Sequence, residues 1–306
     1  MTDRTGPLRV AITGATGMVG TALTRHFREG GSTVIPISRQ AIPDGIRWDP
    51  ARGVLDAAGL ETLDAVFNLA GENLTARRWS TATRQRLRDS RIRSTMLLAT
   101  TLARIGFRGV LVSVSAVGIY GNAGDRELDE TSPLGGDFLA TLCRDWEAAA
   151  DPARAAGIRV VHPRLGVVLS SAGGLLGRVL PIFRTGLGGR LGSGQQWLSW
   201  IAMEDLLAAM DLVVRTESAS GAINFTAPTP VTNAEFTATL AQVLKRPAIL
   251  PAPATALRLV FGEMADAALL ASQRVLPRRL KALGFNFGAP TAEVAIRQVL
   301  DLRRET

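Results

Sequence analysis

The stretch "AITGATGMVGTAL", residues 11–23, decides the fold. Gly14, Gly17 and Gly20 directly follow an apolar run and open a stretch of helical character. In a dinucleotide-binding turn, the first glycine allows the tight bend, the second lets the backbone approach a pyrophosphate, and the third permits close helix–strand packing. The start of a helix also offers N–H groups to phosphates. We therefore expect the following residues to contact a dinucleotide: Gly14, Thr16, Gly17, Met18, Val19 and Gly20.

Short apolar runs alternate with helical stretches through the first half of the chain. After residues 8–13, further runs are "TVIPIS" (33–38), "DAVFNLA" (64–70), "GVLVSVS" (109–115) and "IRVVHPRLGVVL" (158–169). Residues 18–30 and 83–105 have the character of helices. Strands buried on both faces and separated by helices predict a parallel α/β sheet. Residues 39–63 look irregular and hold at most a short helix.

The composition changes after about residue 170. Glycine-rich "GLGGRLGSG" (186–194) and proline-rich "RPAILPAPA" (246–254) replace the alternating pattern. We expect a nucleotide-binding core over residues 1–165, to which later segments can return. Residues 166–306 are then a smaller, irregular α+β part that binds substrate. A mobile glycine-rich loop carrying Gln195, Gln196 and Trp197 is suited to closing over that substrate.

The bulk properties indicate a soluble cytoplasmic protein. Cys143 is the only cysteine, so no internal disulfide can form, which suits a reducing compartment. The N-terminus lacks the features of a signal peptide. No apolar run approaches the roughly 20 residues that span a bilayer. We expect no membrane partner.

The basic charge does not predict nucleic-acid binding. The formal net charge is +8, and the densest basic run covers residues 77–93. No recognised binding motif or aromatic stacking platform accompanies it, so we expect no nucleic-acid partner. This run is either a solvated face or a source of one or two arginines for an anionic ligand. We expect a monomer or homodimer that acts on a small molecule.

The ends of the second and third apolar runs bear on the cofactor. The second run ends at Ser38 and Arg39, with no acid to bind a ribose 2′-hydroxyl. An arginine there favours a 2′-phosphate through charge-assisted hydrogen bonds, which predicts NADP; the alternative is a merely exposed arginine. The third run ends at Leu69, Ala70 and Gly71, whose small residues suit a backbone passing close to a cofactor.

A resemblance to a known family then becomes specific. The stretches "NLAGENL", "DFLATLCRDWEAAA", "PRLGVVL", "GLGGRLGSGQQ" and "APTPVTNAEF" occur in order along nearly the whole chain. They resemble the atypical branch of extended short-chain dehydrogenases/reductases called epimerase family proteins. The resemblance implies a Rossmann-type doubly wound sheet, NADP(H) binding and a small characteristic C-terminal domain. It also implies cofactor contacts at Ser38–Arg39, Leu69–Ala70, Arg91 and Arg164.

The catalytic dyad of ordinary relatives is absent. Leu139 and Cys143 stand where the resemblance places the tyrosine and lysine, and no lysine precedes Lys245. Tyr120, the only tyrosine, follows Ser113 and Ser115 at the end of a predicted strand. We expect these three residues to be catalytic if chemistry occurs, with Tyr120 donating a proton during carbonyl reduction. The alternative is a tyrosine that packs its own loop.

Two functions remain open at this point. The first is an NADP(H)-dependent oxidoreductase or nucleotide-sugar-epimerase-like enzyme on a carbonyl or sugar-type substrate. The second is a non-catalytic NADP(H)-binding sensor or interaction protein, which the missing dyad favours. The histidines, His26 and His162, have no metal-ligand spacing, so no metal is expected. Where relatives carry "W-I-H", this chain has Ala202 in place of the histidine.

Overall fold

The protein is described by a computed structural model that covers residues 5–74 and 78–301. These residues divide into two compact units, each built from more than one stretch of chain. Unit 1 takes the described residues of Met1–Ser115, Leu142–Pro163 and Leu207–Ile223. Unit 2 takes those of Ala116–Thr141, Arg164–Leu206 and Asn224–Thr306. A functional boundary at about residue 165 stays a prediction.

The strands are mostly short, and most of them belong to one large sheet. In chain order they are β1 (Arg9–Thr13), β2 (Thr33–Ser38), β3 (Ile46–Asp49), β4 (Val54–Leu55), β5 (Ala65–Asn68), β6 (Val110–Ser113), β7 (Ser115–Ala116), β8 (Glu127–Leu128), β9 (Arg159–Leu165), β10 (Val167–Leu169), β11 (Trp197–Leu198), β12 (Trp200–Ala202), β13 (Gly221–Phe225), β14 (Val231–Thr232) and β15 (Arg274–Val275).

Helices alternate with the strands in unit 1, and further helices lie in unit 2. In chain order, the α-helices of both units are α1 (Met18–Glu29), α2 (Thr81–Arg104), α3 (Phe138–Ala148), α4 (Asp151–Ala155), α5 (Gly174–Arg184), α6 (Met203–Arg215), α7 (Asn233–Leu244), α8 (Ala254–Phe261), α9 (Arg278–Ala282) and α10 (Ala292–Val299). Short 3-10 turns cover Leu60–Thr62 and Val117–Tyr120, and a π turn covers Ala265–Leu269. None of the helices in the described ranges is both long and apolar enough to cross a membrane.

The large sheet confirms the predicted parallel α/β class. Its strand order is β13-β9-β6-β5-β1-β2-β3-β4, with β7 paired to β9. The pairs β1–β2, β1–β5, β5–β6 and β6–β9 are parallel. The order runs outward from β1 in both directions, which is the doubly wound arrangement.

The segment 39–63, expected to be irregular, extends this sheet by two strands. β3 pairs parallel with β2, and β4 pairs antiparallel with β3. Ile46, Trp48 and Leu55 are buried, and their burial in the core of unit 1 favours the strand conformation. The expectation failed because proline, glycine and aspartate around these short strands dominate the local sequence signal.

The core of unit 1 packs helices against the sheet. Leu98, Ala99 and Leu102 of α2 lie in one buried cluster with Val66 and Leu111 of the central strands. The Arg159 guanidinium adds a polar link, because its N–H groups donate to the carbonyls of Val213, Val214, Thr216 and Ala219 at distances of 2.7–3.2 Å. Arg159 therefore caps the C-terminal end of α6, where the carbonyls lack intrahelical partners.

Unit 2 has its own buried core. Leu176 and Phe183 of α5 pack with Trp200 of β12, Leu240 of α7 and Ile296 of α10. Short strand pairs, β10–β12 and β11–β14, tie the segments together. Helix α7 begins with a reciprocal capping box between Thr232 and Glu235.

The glycine-rich segment of unit 2 is packed rather than open. The Leu250 N–H donates to Gly188 O at 3.1 Å, and the Ala252 N–H donates to Arg190 O at 2.9 Å. A Cβ at Gly189 would lie 2.0 Å from Leu250 O, and one at Gly188 would lie 2.7 Å from the Phe183 ring. Close packing therefore requires both glycines: Gly188 packs against Phe183 of α5, and Gly189 packs against the backbone of residues 250–251.

Candidate functional site

The turn between β1 and α1 has the geometry of a phosphate-binding turn. Gly14 adopts φ +67°, a left-handed conformation that favours glycine. Gly17 is the N-cap of α1 and its N–H donates to Gly14 O at 2.9 Å. The first turn of α1 has no side-chain cap and no acidic residue. A helix N-terminus of this kind is suited to an anionic ligand.

The three glycines are constrained to different degrees. A Cβ at Gly20 would lie 2.1 Å from Gly14 O and 2.8 Å from the Ala15 Cα, so no side chain fits there. A Cβ at Gly17 would lie 3.3 Å from Gly14 O, a tight but adjustable contact. Thr16 and Gly17 are exposed, while Met18 and Val19 are half-buried. The glycine turn is therefore tightly packed at Gly20 and exposed to solvent at Gly17.

Ser38 and Arg39 lie at the end of β2, and the exposed Arg39 side chain is available to a ligand. Ser38 ends the strand, and its Oγ accepts a hydrogen bond from the Gln40 N–H at 3.1 Å. Arg39 follows immediately and is exposed. Among residues 5–74 and 78–301, its side chain forms no hydrogen bond or ion pair. β2 is parallel to β1 in register, so Ser38 and Arg39 follow the strand end beside the glycine turn.

The end of β5 is held by a buried threonine. Thr13 Oγ1 donates to Asn68 Oδ1 at 2.9 Å and accepts from the N–H groups of Leu69 and Ala70 at 3.0 and 3.1 Å. A Cβ at Gly14 would lie 3.0 Å from Leu69 C and O. The β1 turn and the residues after β5 are therefore in direct backbone proximity, which brings two predicted cofactor-contacting segments together.

Asn68 links three neighbouring elements. Its Nδ2 donates to Thr95 Oγ1 of α2 at 2.7 Å and to Ser113 Oγ of β6 at 3.2 Å. Thr95 Oγ1 also accepts from Trp146 Nε1 at 2.9 Å. Ser113 is completely buried, so its hydroxyl serves this network.

Ser115 differs from Ser113. It is 2% exposed, and its Oγ has no hydrogen-bond partner among the described residues. A buried hydroxyl without a partner carries a desolvation penalty that a bound polar group can remove. Ser115 therefore has the capacity to bind a ligand oxygen that Ser113 lacks.

Arg91 is buried in unit 1 and explains Gly71. Its guanidinium donates to Glu72 O at 3.0 Å and to Leu87 O at 3.3 Å, and it lies 5.1 Å from the Trp146 ring centroid. A Cβ at Gly71 would lie 3.1 Å from the Arg91 Cζ. Burial lowers the pKa of the Arg91 guanidinium. Gly71 is thus small because the guanidinium packs on it, in addition to any role beside a cofactor.

Most of the other arginines on α2 are paired with acids. Arg88 forms an ion pair with Asp145 at 2.8 Å, and Arg86 Nε lies 3.3 Å from Glu72 Oε1. Arg93 pairs with Asp89 at 3.2 Å. Arg77, at the start of the basic run, lies outside the described residues. These pairs support the interpretation of the run as a solvated, locally compensated face.

Tyr120 and Arg164 lie together in unit 2. The Tyr120 hydroxyl donates to Asn224 Oδ1 at 2.7 Å and accepts from Arg164 Nη1 at 3.0 Å. Tyr120 is 3% exposed. Burial raises the pKa of Tyr120, and the Arg164 cation and the two hydrogen bonds oppose that shift. The phenol thus has a cationic neighbour, the Arg164 guanidinium, while Leu139 and Cys143 stand where the resemblance places the tyrosine and lysine of the usual dyad.

Asn68, Thr95 and Asn224 are polar residues that the sequence analysis missed. Each is nearly or completely buried and hydrogen-bonded to a candidate residue or its support. Asn68 and Asn224 lie in strands among apolar residues, and a polar residue in such a run can indicate a buried side chain that needs a hydrogen-bond partner. Their partners are far away in sequence, so no local pattern reveals them. Among the described residues, no group of three or more His, Cys, Asp or Glu side chains could hold a metal ion.

Comparison with known proteins assigns the class of this fold and site. Residues 10–225 match the NAD dependent epimerase/dehydratase family, and residues 252–299 match a domain of unknown function, DUF1731. The match covers more than half of the 306 residues, so the chain belongs to the NAD dependent epimerase/dehydratase family.

Its relatives narrow this class to the epimerase family proteins. The chain is 47% identical to epimerase family protein Mb2239 of Mycobacterium bovis over 91% of its own length and 93% of that protein. The crystal structure of human epimerase family protein SDR39U1 with NADPH has a TM-score of 0.88, with 36% identity over 96% of this chain and 99% of that one. These matches confirm the resemblance found in the sequence.

A second solved structure is a nucleoside-diphosphate sugar epimerase from Corynebacterium glutamicum. It has a TM-score of 0.80 and 37% identity, and the match covers 96% of this chain and 58% of that one. The fold is thus that of a short-chain dehydrogenase/reductase with nucleotide-sugar epimerases among its structural neighbours.

Proposed function

We propose that this protein binds NADP(H) on unit 1 and is an NADP(H)-dependent oxidoreductase or epimerase-like enzyme. Its substrate is a small carbonyl or sugar-type molecule. The observation that carries the cofactor proposal is the glycine turn, in which a Cβ at Gly20 would lie 2.1 Å from Gly14 O. In the same turn Thr16 and Gly17 are exposed, and the start of α1, which has no side-chain cap, would be available to a pyrophosphate.

The choice of NADP(H) over NAD(H) rests on Arg39. It follows β2, the strand next to β1, and its exposed guanidinium forms no ion pair within the described ranges. A 2′-phosphate would give it a charge-assisted partner, and no acid stands at the end of β2 to repel that phosphate. The human relative's structure contains NADPH, which supports the same choice.

The remaining predicted cofactor contacts come from three places in the chain. Leu69, Ala70 and Gly71 follow β5, beside the Gly14 turn, and we propose that their backbone contacts the cofactor. Arg91 also remains a proposed cofactor contact, and its bond to Glu72 O supports the same segment. Arg164 remains a proposed contact, with its Nη1 already donating to the Tyr120 hydroxyl.

Catalysis would use the hydroxyl groups proposed above. When bound, NADPH supplies a hydride to a substrate carbonyl carbon. Ser115, whose Oγ lacks a partner among the described residues, would donate a hydrogen bond to the carbonyl oxygen; Ser113, whose Oγ accepts from Asn68 Nδ2, is the alternative donor. Tyr120 would supply the proton with Arg164 as its cationic neighbour. Reduction is favoured over alcohol oxidation because it needs no prior ionisation of the phenol.

Nucleotide titration tests the cofactor proposal. NADPH and NADH are titrated against the wild-type protein, Arg39→Ala and Arg108→Ala. Arg108 is an exposed arginine that precedes the amino end of β6, whereas Arg39 follows the carboxyl end of β2, and it controls for the loss of charge. Wild type and Arg108→Ala should prefer NADPH, and Arg39→Ala should lose about 10–100-fold in NADPH affinity. Equal affinities for both nucleotides in the wild type would overturn the NADP(H) proposal.

A second candidate is a non-catalytic NADP(H)-binding sensor or interaction protein. One observation favours it: the Tyr120 hydroxyl already donates to Asn224 and is buried, so its proton is engaged within unit 2. Leu139 and Cys143 also replace the usual dyad. This candidate predicts NADPH binding without turnover.

A carbonyl panel separates the two candidates. Wild type and Tyr120→Phe are assayed for NADPH oxidation against aldehydes, ketones and keto-sugars. An enzyme that uses Tyr120 should lose about 10²–10⁴-fold in turnover on substitution while its NADPH affinity is unchanged. Absence of turnover in both proteins, with intact NADPH binding, supports the sensor.

A further inference from the structure

Unit 2 contains a groove of about 450 Å³ beside α7. Ligand sites in proteins have volumes of about 300–1,000 Å³ and are mostly apolar, with a few polar groups that fix orientation. This groove has that composition. Its lining residues are Arg190, Ala234, Thr237, Ala238, Ala241, Ala248, Ile249 and Pro251.

The apolar part of the groove is elongated along the helix. Ala234, Ala238 and Ala241 recur at helical spacing and lie on one face of α7. From Ala234 to Ala241 this face is about 10 Å long. Ile249 also lines the groove and is 71% exposed. Small side chains on α7 and an exposed aliphatic in the lining leave room for a narrow apolar chain.

Arg190 is the charged group of the groove. A Cβ at Gly194 would lie 3.1 Å from both Ala234 Cβ and Arg190 Cδ, so the Arg190 stem lies at the N-terminal end of α7. Its side chain is exposed and, in the described part of the chain, forms no hydrogen bond or ion pair. An apolar groove that ends at an unpaired cation selects an anionic head group.

The N-terminus of α7 does not supply this anion site by itself. The Ala234 N–H donates to Gly194 O at 2.8 Å, and the Asn233 N–H donates to Gln196 O at 2.9 Å. The Glu235 N–H donates to Thr232 Oγ1 at 3.2 Å. These N–H groups have partners, so the guanidinium of Arg190 remains the group that can bind an anion.

The wall of the groove is preformed. Residues 188–190 and 250–252 are joined by backbone hydrogen bonds, and a Cβ at Gly189 would collide with Leu250 O at 2.0 Å. A second copy of the chain is a poor occupant. A two-fold interface places a patch against itself, so it would bring Arg190 towards Arg190 of the other copy.

We infer that this groove binds a single-chain anionic amphiphile, such as an alkyl carboxylate. The alkyl chain lies along Ala234, Ala238 and Ala241, and the carboxylate pairs with Arg190. The site lies within unit 2 and is independent of the proposed dinucleotide site in unit 1, so neither proposal depends on the other.

The test is calorimetric titration with octanoate as the probe. Octanoate should bind the wild-type protein at one site, and butyrate should bind at least about tenfold more weakly because it lacks four methylene groups. Arg190→Gln should weaken octanoate binding about 10–100-fold. Ala238→Leu should abolish it by filling the groove, and NADPH titration of the same variants should be unchanged.

Matched variants and a charge-reversed probe complete the test. Arg178→Gln removes an exposed arginine of α5, and Ala208→Leu enlarges an exposed alanine of α6; both should bind octanoate like the wild type. Octylamine should not bind at this site. Equal binding of octylamine, an unchanged affinity in Ala238→Leu, or equal losses in Arg190→Gln and Arg178→Gln would each overturn the inference.

Discussion

At the scale of the residue, the ionisation of the buried Tyr120 hydroxyl can be measured without interference from other tyrosines. Its oxygen donates to Asn224 and accepts from Arg164, and burial raises its pKa above the ordinary value. Because it is the only tyrosine among 306 residues, tyrosinate absorbance reports on this group alone.

The first prediction is that Tyr120 resists ionisation in the folded protein. Absorbance at alkaline pH should rise only above the pKa of about 10 that the denatured chain shows. The folded state holds the proton more tightly, so the stabilisation is complete below pH 10 and is lost as pH rises towards the folded pKa. Arg164→Gln should raise the folded pKa further, because the cation opposes the shift. Titration at the denatured value would contradict the buried network.

At the scale of the element, two glycines at the junction of β1 and α1 should have different roles. Gly20 should matter for the stability of the fold, and Gly17 should matter for cofactor binding. Gly17 has φ −76°, which any residue adopts, and its Cβ would have only one tight contact, at 3.3 Å. Gly20 has no room for a Cβ, since Gly14 O would be 2.1 Å away.

The second prediction compares two alanine substitutions. Gly17→Ala should cost about 1 kcal/mol or less in the free energy of unfolding yet weaken NADPH binding, because the backbone can no longer approach the pyrophosphate. Gly20→Ala should cost about 1–3 kcal/mol or more through overpacking. Denaturant unfolding and NADPH titration measure both effects. Equal stability losses in the two variants would refute this division.

The third prediction concerns the helix end held by Arg159. Its guanidinium donates to four backbone carbonyls at the end of α6 and the turn that follows. Arg159→Ala should lower the free energy of unfolding by about 2–4 kcal/mol, because partly buried acceptors lose charged donors. Arg108→Ala, an exposed arginine at the start of β6, should change it by less than about 0.5 kcal/mol. Similar losses in both variants would contradict the capping role.

At the scale of the whole molecule, a bound dinucleotide should stabilise the protein by mass action. The fourth prediction is that NADPH at about 100 times its dissociation constant adds about 2.7 kcal/mol and raises the melting temperature by about 5 °C. NADH at the same concentration should give a smaller shift. In Arg39→Ala the two nucleotides should give equal shifts. An NADH shift that equals the NADPH shift in the wild type would contradict the assignment.

The sequence by itself determined the parallel sheet, the glycine turn and the family. These features are local, because apolar strand runs, helix periodicity and the Gly14–Gly17–Gly20 spacing are each visible within a short stretch of neighbouring residues. Only tertiary structure showed that β3 and β4 extend the sheet, that Asn68 joins α2 to β6, and that Asn224 and Arg164 hold Tyr120. Tyr120 and Asn224 are 104 residues apart, so no local sequence pattern predicts their hydrogen bond. Long-range contacts are set by how elements pack, and packing is decided by burial over the whole chain.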